Sequence, residues 1–289
     1  MRLPGGVYFG RMEWLTRNAM KYPAAFLRLP KGADAVGLAI ESQRLKRMSK
    51  EAEVAVQVNG LKLLLDKGDG EVSGTIYDFG EWEPSVSRAF KAAVKEAKTV
   101  IDVGANIGWF TILAASAGAR KIYAFEPRHS NASLLRRSIE LNDIKNVRVE
   151  EMALGERPAV INLCTRPGSS NAAPKEIMGW EATEVFEAAC TTLDNFVRKE
   201  GIRSIDVAKI DAEWTEPRIL TGAGALLPNA MPEIFMEYTP SAWTDWGNLA
   251  RLIEEAYRIT VPCTHGSEAR VANLSELKRQ TNLHLEQRR

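Results

Sequence analysis

The chain has 289 residues, of which 45% are hydrophobic and 26% charged, and its formal net charge is +1. This composition is typical of a globular protein, and the near-neutral charge predicts no nucleic-acid partner. Three cysteines are too few for a disulfide framework or a zinc site, and no apolar run reaches the roughly 18 residues of a membrane span, so we expect a cytoplasmic protein with reduced thiols.

The first 50 residues are more basic than the remainder of the chain. They carry ten Lys or Arg residues against three Asp or Glu residues, in short apolar stretches interrupted at Pro23. We predict that residues 1–53 form a basic helical extension or cap and that residues 54–289 form the main domain. Weak contact of residues 1–50 with an anionic membrane surface or an acidic partner stays open as an alternative.

Strand and helix patterns follow one another from residue 54 onward. Residues 54–64 alternate in polarity around Asn59-Gly60, which predicts a β-hairpin. A helix is predicted to begin near Glu83-Pro84, because proline is favoured in the first helical turn. Further strands are predicted in the segments TVIDVGA, KIYAFEP, VRVEEMALG, IDVAKIDAE, EIFMEY and RITVPC, with helical patterns between them. This order predicts an α/β fold with a parallel sheet and helices on both faces.

The segment VIDVGANIGWF places a glycine-rich turn between a predicted strand and the helix after it. Gly104 would let the backbone turn without a Cβ atom, and Gly108 would let helix and strand approach closely. Asn106 stands where a left-handed conformation is often needed, and asparagine tolerates that conformation well. Ligands of open parallel sheets bind at such a turn. The candidate cofactor residues here are Gly104, Ala105, Asn106, Ile107 and Gly108.

Two acidic residues near this turn indicate which ligand it binds. Asp102 lies two residues before Gly104, where a carboxylate could accept hydrogen bonds from an ammonium group and would repel a pyrophosphate. Glu126 ends the next strand, 22 residues after Gly104, at the spacing where an acid binds ribose hydroxyls. S-adenosylmethionine (SAM) carries both an ammonium group and a ribose diol. SAM is therefore favoured over a dinucleotide such as NAD, which stays the alternative.

The third predicted strand ends near Glu151 and Met152, where it would meet the adenine of a ligand. Met152 would offer a backbone N–H and a polarisable apolar side chain, although an ordinary core methionine is an equally good interpretation. Pro127, which follows Glu126, completes the candidate cofactor residues together with Glu151 and Met152.

Acidic residues also follow the fourth and fifth predicted strands. Asp211 and Glu213 follow the fourth strand, and Glu237 lies in the fifth. A carboxylate here could take the proton that a hydroxyl acceptor loses during methyl transfer, so Asp211 and Glu213 are candidate catalytic residues. Asp211 could instead only position the SAM amine or a loop. The three acids could also hold a divalent cation, but no spacing requires one, and we predict no metal.

The series of motifs, in this order, resembles the FkbM family of SAM-dependent methyltransferases. The resemblance covers roughly residues 54–285 and rests on GEWEP, VIDVGANIGWFT, YAFEP, NVRVEEMALGE, TTLDNF, AKIDAEWTE, ILTGAGALL and PEIFMEY. It implies a class I methyltransferase fold, with a Rossmann-like sheet of seven strands whose last strand is antiparallel. It also implies SAM as cofactor and O-methylation of a sugar, glycolipid or natural-product acceptor. Carried over by position, it assigns cofactor contacts to Asp102, Gly104, Asn106, Gly108 and Glu126, and an active-site position to Asp211 and Glu213.

The chain departs from the family pattern beside the predicted active site. The family usually has Gly-Ala after the glutamate that corresponds to Glu213, whereas this chain has Trp214-Thr215. The tryptophan would either fill part of the acceptor pocket or redirect the loop. Two alternatives therefore stay open: methylation of a nitrogen or carboxylate acceptor, and a non-catalytic SAM-binding module in which Trp214 blocks the acceptor site.

Overall fold

A computed structural model describes residues 54–177, 182–226, 232–263 and 267–288. The predicted basic extension, residues 1–53, lies outside the described residues. No helix in the described ranges is both long enough and apolar enough to cross a membrane.

The described chain begins with the predicted hairpin, formed by β1 (Val54–Val58) and β2 (Leu61–Leu65), which pair antiparallel. Asn59 and Gly60 join the two strands with φ angles of 49° and 88°. Positive φ at both turn residues matches the twist of the flanking strands, which is why Asn-Gly predicts a hairpin correctly here.

The remaining elements follow in chain order. The helices are α1 (Val72–Phe79), α2 (Pro84–Ala93), α3 (Trp109–Ala117), α4 (His129–Leu141), α5 (Leu193–Glu200), α6 (Glu216–Thr221) and α7 (Gly247–Ala256). The strands are β3 (Val100–Val103), β4 (Ile122–Phe125), β5 (Val147–Glu150), β6 (Ala153–Leu154), β7 (Ala159–Thr165), β8 (Ala172–Pro174), β9 (Glu184–Thr191), β10 (Val207–Ile210), β11 (Glu233–Tyr238), β12 (Tyr257–Pro262), β13 (Glu268–Val271) and β14 (Thr281–Gln287). Helix α1 was not predicted, because the glycine-rich, acidic segment before it is typical of a loop.

The main sheet has the strand order β13-β12-β14-β11-β10-β3-β4-β5. Strands β11, β10, β3, β4 and β5 run parallel, whereas β14 pairs antiparallel with both β11 and β12. This is the predicted class I methyltransferase fold, and its last strand, β14, is antiparallel as predicted. The predicted number of seven strands is corrected to eight among the described residues. The additional strand is β13, which pairs with the edge of β12.

Two apolar clusters cover the two faces of the sheet. Successive residues of a strand point to opposite faces, so Val100 joins one cluster and Ile101 the other. Residues of α1 to α4 belong to the cluster of Val100, and residues of α5 to α7 to that of Ile101. Lys209 in β10 lies on the Val100 side, where Phe110 of α3 packs near its ammonium group. The lysine thus occupies a buried position of β10, between Phe235 of β11 and Asp102 of β3.

A second sheet, in the order β6-β9-β7-β8, is formed by residues 153–191. Strand β6 was predicted only as the end of β5, and β7 to β9 were not predicted. Strands β7 and β9 pair antiparallel from Ala159↔Cys190 to Thr165↔Glu184, and β8 lies between them in the chain. The three cysteines, Cys164, Cys190 and Cys263, are free thiols.

Candidate functional site

The site lies where the carboxyl ends of β3, β4 and β10 meet. The chain passes from β3 to β4 and β5 on one side of β3, and β10 pairs on its other side, so β3 marks the point where strand order reverses. Ligands of open α/β sheets bind at this kind of switch point. A cavity of about 290 Å³ opens there. This volume is close to the lower end of the range for small-molecule sites, about 300–1,000 Å³.

Most of the predicted site residues line this cavity. Around the glycine turn these are Asp102, residues 104–107 and Glu126. Beyond it they are Pro127, Met152, Asp211 and Glu213.

The glycine turn has the backbone that its sequence predicts. Gly104 has a φ of +77°, and a Cβ atom there would lie 1.8 Å from the carbonyl oxygen of Asp211. Asn106 has a φ of 52°, which is the predicted left-handed conformation. Gly108 also has a positive φ, but it does not line the cavity. A Cβ atom there would lie 2.2 Å from Leu135 Cδ1 of α4, so Gly108 permits the approach of two helices rather than of helix and strand.

Asp102 is buried in β3, with its side chain directed toward the start of α3. Its Oδ2 accepts a 2.5 Å hydrogen bond from the hydroxyl of Thr111. Burial raises the pKa of Asp102 to about 6, and the Thr111 hydrogen bond and the charge of Lys209 oppose this rise. The carboxylate is therefore largely ionised at neutral pH, as its predicted contact with an ammonium group requires.

Glu126 is a buried acid that fastens the turn to the end of β4. Its Oε2 accepts the backbone N–H of Asn106, and its Oε1 accepts the backbone N–H of Arg128, each at 2.8 Å. Burial raises the pKa of Glu126 to about 7, although these hydrogen bonds lower it. Each carboxylate oxygen can accept a second hydrogen bond, so the predicted contact with ribose hydroxyls is compatible with these bonds.

The loop between β7 and β8 closes against the glycine turn, a contact that was not predicted from the sequence. Asn106 Nδ2 donates to Asn171 Oδ1 at 2.8 Å, and Asn106 Oδ1 accepts from the Ser170 hydroxyl at 3.0 Å. Asn131 Nδ2 in turn donates to the Ser170 carbonyl oxygen at 3.0 Å. The second sheet thus supplies a wall of the cavity. Serines and asparagines in a turn-rich segment give no local signal for such a distant contact.

Met152 lines the cavity, but the neighbouring Glu151 does not. The Glu151 carboxylate contacts His129 Nδ1 at 2.8 Å and Arg136 at 2.6 Å, both on α4. The Arg136 hydrogen bond holds the pKa of Glu151 below its usual value. The Glu151 carboxylate is thus bonded to two side chains of α4 and lies outside the cavity, away from the predicted cofactor contacts.

At the end of β10, Asp211 is paired with a buried lysine. Lys209 Nζ donates to Asp211 Oδ2 at 2.9 Å and lies 3.8 Å from Glu83 Oε2. Burial favours the neutral amine, but the charges of Asp211 and Glu83 outweigh it and raise the pKa of Lys209 to about 12. Lys209 lines the same cavity. It was not among the predicted site residues, although a lysine inside an apolar parallel strand is itself a signal, since such strands are buried on both faces.

The turn after Asp211 has an unusual backbone. Glu213 and Trp214 both have positive φ angles, 50° and 73°. A bulky side chain in this region of φ is strained, and glycine would adopt it readily. Trp214 does not line the cavity, whereas Ala212, Glu213 and Thr215 do. The tryptophan was predicted either to fill part of the acceptor pocket or to redirect the loop. Its position favours a redirected loop.

Two carboxylates lie behind Asp211 rather than in the cavity. Carboxylate oxygens of Asp211, Glu216 and Glu237 lie within 4.8 Å of one another, and Glu216 and Glu237 are buried. Glu213, which the sequence pattern grouped with Asp211 and Glu237, is not part of this group. Four residues near the reacting end, namely Glu83, Lys209, Glu216 and Glu237, are thus charged or acidic side chains in the protein interior.

The site combines polar groups around the glycine turn with acidic side chains at the end of β10. The turn and Glu126 present backbone and carboxylate groups suited to an amino acid nucleoside, and Asp211 presents a carboxylate suited to accept a proton. Both parts line one cavity. Such a site can bind a nucleoside-type donor and a second substrate side by side, as a group-transfer reaction requires.

Comparison with known families supports this interpretation. The family model described as "Methyltransferase FkbM domain" matches residues 102–259, which is more than half of the chain. A search of curated proteins gives no significant match.

Solved structures with a similar fold share little sequence with the chain. An FkbM methyltransferase from Methylobacillus flagellatus is 15% identical over 88% of this chain and 60% of its own, with a TM-score of 0.44. A tRNA (uracil-54, C5)-methyltransferase from Pyrococcus abyssi, in complex with S-adenosyl-L-homocysteine, is 12% identical over 82% of this chain and 45% of its own, with a TM-score of 0.43. A SAM-dependent methyltransferase from Agrobacterium tumefaciens is 11% identical over 71% of this chain and 58% of its own, with a TM-score of 0.39. The chain thus spans less than two thirds of each of these three proteins.

Proposed function

Because the chain belongs to the FkbM family of methyltransferases, we propose that it transfers a methyl group from SAM to a hydroxyl group of a sugar, glycolipid or natural-product acceptor. One observation carries this proposal. A single cavity is lined by Asp102 and Glu126, beside the glycine turn, and by Asp211, at the end of β10. The first two suit the donor, and the third suits a hydroxyl acceptor.

The residues around the turn fit SAM. Asn131 lines the cavity, and its Oδ1 is buried with no hydrogen-bond partner among the described residues. A buried acceptor of this kind favours a ligand that donates to it, since an unmet hydrogen bond in the interior is costly. SAM offers donors in its ammonium, ribose and adenine groups, and Asp102 and Glu126 would take the first two.

The same residues argue against a dinucleotide. A pyrophosphate at the glycine turn would lie near the Asp102 carboxylate, and like charges repel strongly in a buried site. The turn therefore favours a ligand whose charged end is cationic.

Bound SAM would supply a methyl group on a positively charged sulfur. In the proposed reaction the acceptor oxygen forms a bond to the methyl carbon, the carbon–sulfur bond breaks, and sulfur keeps the electron pair. The acceptor hydroxyl loses its proton, which Asp211 is positioned to accept. Lys209 donates to Asp211 Oδ2 at 2.9 Å, so the other oxygen, Oδ1, is the proposed base. Glu213 lines the same wall and is the second candidate.

The alternatives differ in what they require of these residues. A nitrogen or carboxylate acceptor needs little help from a base, so it would make Asp211 dispensable. A non-catalytic SAM-binding module needs a blocked acceptor site, and Trp214 does not line the cavity. The geometry therefore supports an enzyme better than a module.

The proposal is tested with SAM that carries a tritiated methyl group and a panel of methyl glycosides, long-chain alcohols, amines and carboxylates. We expect label in hydroxyl compounds, and we expect Asp211→Asn to lower kcat by about 10² to 10⁴ with little change in the KM for SAM. Glu255→Gln, an exposed change on α7, is the control and should leave kcat unchanged. Label in amines or carboxylates that is insensitive to Asp211→Asn would favour the alternative acceptors. Failure to label any class, despite SAM binding, would favour the module.

We also propose a cytoplasmic setting and a supporting role for residues 1–50. Their excess of basic residues would attract a lipid-linked acceptor or an anionic surface. Co-sedimentation of the full chain with anionic and with neutral vesicles tests this. Equal recovery with both kinds of vesicle would remove the membrane part of the proposal.

A further inference from the structure

We propose that Asp211, Glu216 and Glu237 bind a hard divalent cation such as Mg²⁺ or Mn²⁺. One carboxylate oxygen from each residue lies within 4.8 Å of the other two. Two ligands on opposite sides of one ion are about 4 Å apart for Mg²⁺ and about 5 Å apart for Ca²⁺. A single ion could therefore contact all three oxygens with small shifts of the side chains. Carboxylate oxygens are the ligands that these cations prefer.

Rigid elements hold the three acids in place. Asp211 directly follows β10, and Glu237 lies in β11, which pairs in parallel with β10. Glu216 begins α6, and its Oε1 accepts the backbone N–H of Ala212 at 2.9 Å. Asp211 lines the cavity, and the other two acids are buried beneath it. The proposed ion would thus lie at the floor of the acceptor side.

Glu216 provides the second observation that points to a ligand. Its side chain is fully buried, and its Oε2 has no hydrogen-bond partner among the described residues. A buried carboxylate oxygen left without a partner is strongly unfavourable, so it calls for a cation or a proton. Both candidates would satisfy the oxygen, and charge decides between them.

The local charges favour the cation. Lys209 is the one Lys or Arg side chain that is buried in the described part of the chain. It faces the carboxylates of Asp211, Glu83 and Glu237, and Glu216 lies next to Glu237. Four carboxylates therefore share one ammonium group. A divalent ion would remove most of the remaining negative charge, whereas one proton would remove only a single charge.

This group corrects the alternative that the sequence left open. That alternative joined Asp211 and Glu237 with Glu213, but Glu213 lies in a left-handed turn with Trp214 and is not part of the group. Glu216, three residues further on, takes the third position instead.

The role of the ion in catalysis rests on the proposed function, whereas its binding does not. Three protein ligands would leave about three positions on an octahedral ion for water or an acceptor oxygen. A hydroxyl oxygen on the ion would lose its proton more readily, which would assist the transfer of the methyl group. With Asp211 bound to the ion, the proton would pass to Glu213, the second candidate base.

A second group of possible ligands offers a control. Glu268, His284 and Glu286 also lie within reach of one another. However, both ring nitrogens of His284 are already bonded, Nδ1 to Glu268 at 2.7 Å and Nε2 to Glu233 at 2.6 Å. This group is therefore satisfied without an ion.

The test is the electron paramagnetic resonance signal of free Mn²⁺ during titration of the full chain, in the absence of SAM and acceptor. We expect wild type and Glu268→Gln to bind Mn²⁺ equally and Glu216→Gln to bind it about 100-fold more weakly. No binding by wild type, equal binding by Glu216→Gln, or loss in Glu268→Gln alone would overturn the proposal. The result does not depend on methyl transfer, so its failure is distinct from failure of the proposed function.

Thermal unfolding shows that the variants are folded. Glu216→Gln replaces a buried acid beside Asp211 and Glu237 with a neutral side chain of the same shape, so with EDTA its Tm should equal or exceed that of wild type. Added Mn²⁺ should raise the Tm of wild type and leave that of Glu216→Gln unchanged. Glu237→Gln is the second variant and should lose the Mn²⁺ effect in the same way. If Mn²⁺ raises the Tm of either variant as much as that of wild type, the proposed cation site is contradicted.

Discussion

Lys209 Nζ lies 2.9 Å from Asp211 Oδ2, and the lysine side chain is only 1% exposed. This pair joins the middle of β10 to the turn that lines the cavity. The ammonium group places a positive charge beside the acid and donates to one of its two oxygens. It therefore contributes both to the charge at the end of β10 and to the orientation of the Asp211 carboxylate, which lines the cavity.

The pair should be important for stability, because loss of the cation leaves buried carboxylates without compensation. Lys209→Met is expected to lower the free energy of unfolding by about 3–5 kcal/mol. Urea unfolding followed by circular dichroism measures this change. Lys95→Met, at an exposed position, is the control and should change it by no more than about 0.5 kcal/mol. Similar values for the two variants would show that the buried pair contributes little.

Gly104 should be intolerant of a side chain for a reason beyond its φ angle. Gly104 and Gly60 both have positive φ, +77° and +88°, but a Cβ atom would meet the carbonyl oxygen of Asp211 at Gly104 and open space at Gly60. Gly60→Ala is expected to cost about 1–2 kcal/mol, which is the cost of the backbone conformation alone. Gly104→Ala should cost several kcal/mol more or prevent folding. If the two alanine variants lower the free energy of unfolding equally, the ends of β3 and β10 can move apart freely.

At position 214 a glycine variant should be more stable than an alanine variant, which is the reverse of the order at most positions. At a φ of 73°, glycine is relaxed and alanine is strained. Trp214→Gly should therefore be more stable than Trp214→Ala by about 1 kcal/mol. The two variants lose the same indole contacts, so their difference isolates the backbone. If the alanine variant is the more stable one, the turn does not hold this conformation in solution.

Glu126 should make stability depend on pH. Its pKa is about 7 in the folded protein and 4.5 in the unfolded chain, so the folded state binds the proton more tightly. The stability that this proton contributes is present below pH 4.5 and is lost as the pH rises through about 7. Asp69 and Asp102, whose burial raises each pKa to about 6, act in the same direction.

Glu126→Gln removes this titration. Relative to wild type, its free energy of unfolding should improve by on the order of 2 to 3 kcal/mol between about pH 5 and pH 8. Exposed Glu156→Gln is the control and should show no such trend. A difference between Glu126→Gln and wild type that is the same at both pH values would contradict the raised pKa.

The conformation of the glycine turn could be predicted because it depends on residues that are adjacent in the sequence. Gly104 and Asn106 adopt left-handed backbone that few other residues tolerate, and both stand between a strand and a helix. The same holds for Asn59-Gly60 in the hairpin. In each case neighbouring residues in the sequence are also neighbours in space.

The remainder of the site depends on distant contacts. Glu216, rather than Glu213, lies beside Asp211 and Glu237, after a left-handed turn that glycine, but not tryptophan, would have indicated at position 214. Ser170 and Asn106 lie 64 residues apart in the sequence, and their contact depends on the second sheet. Lys209 could have been noticed as a charged residue within an apolar strand. Its partner Asp211 is only two residues away in the sequence, whereas Glu83 is distant and could not be identified before the fold was known.

Calorimetric titration of the full chain with S-adenosylhomocysteine, and separately with NAD, tests the central claim most directly. We expect micromolar binding of S-adenosylhomocysteine by wild type, weaker binding by the isosteric variant Asp102→Asn, and no binding of NAD. Absence of S-adenosylhomocysteine binding by the folded wild type, or binding of NAD with similar affinity, would contradict the assignment of this cavity to SAM.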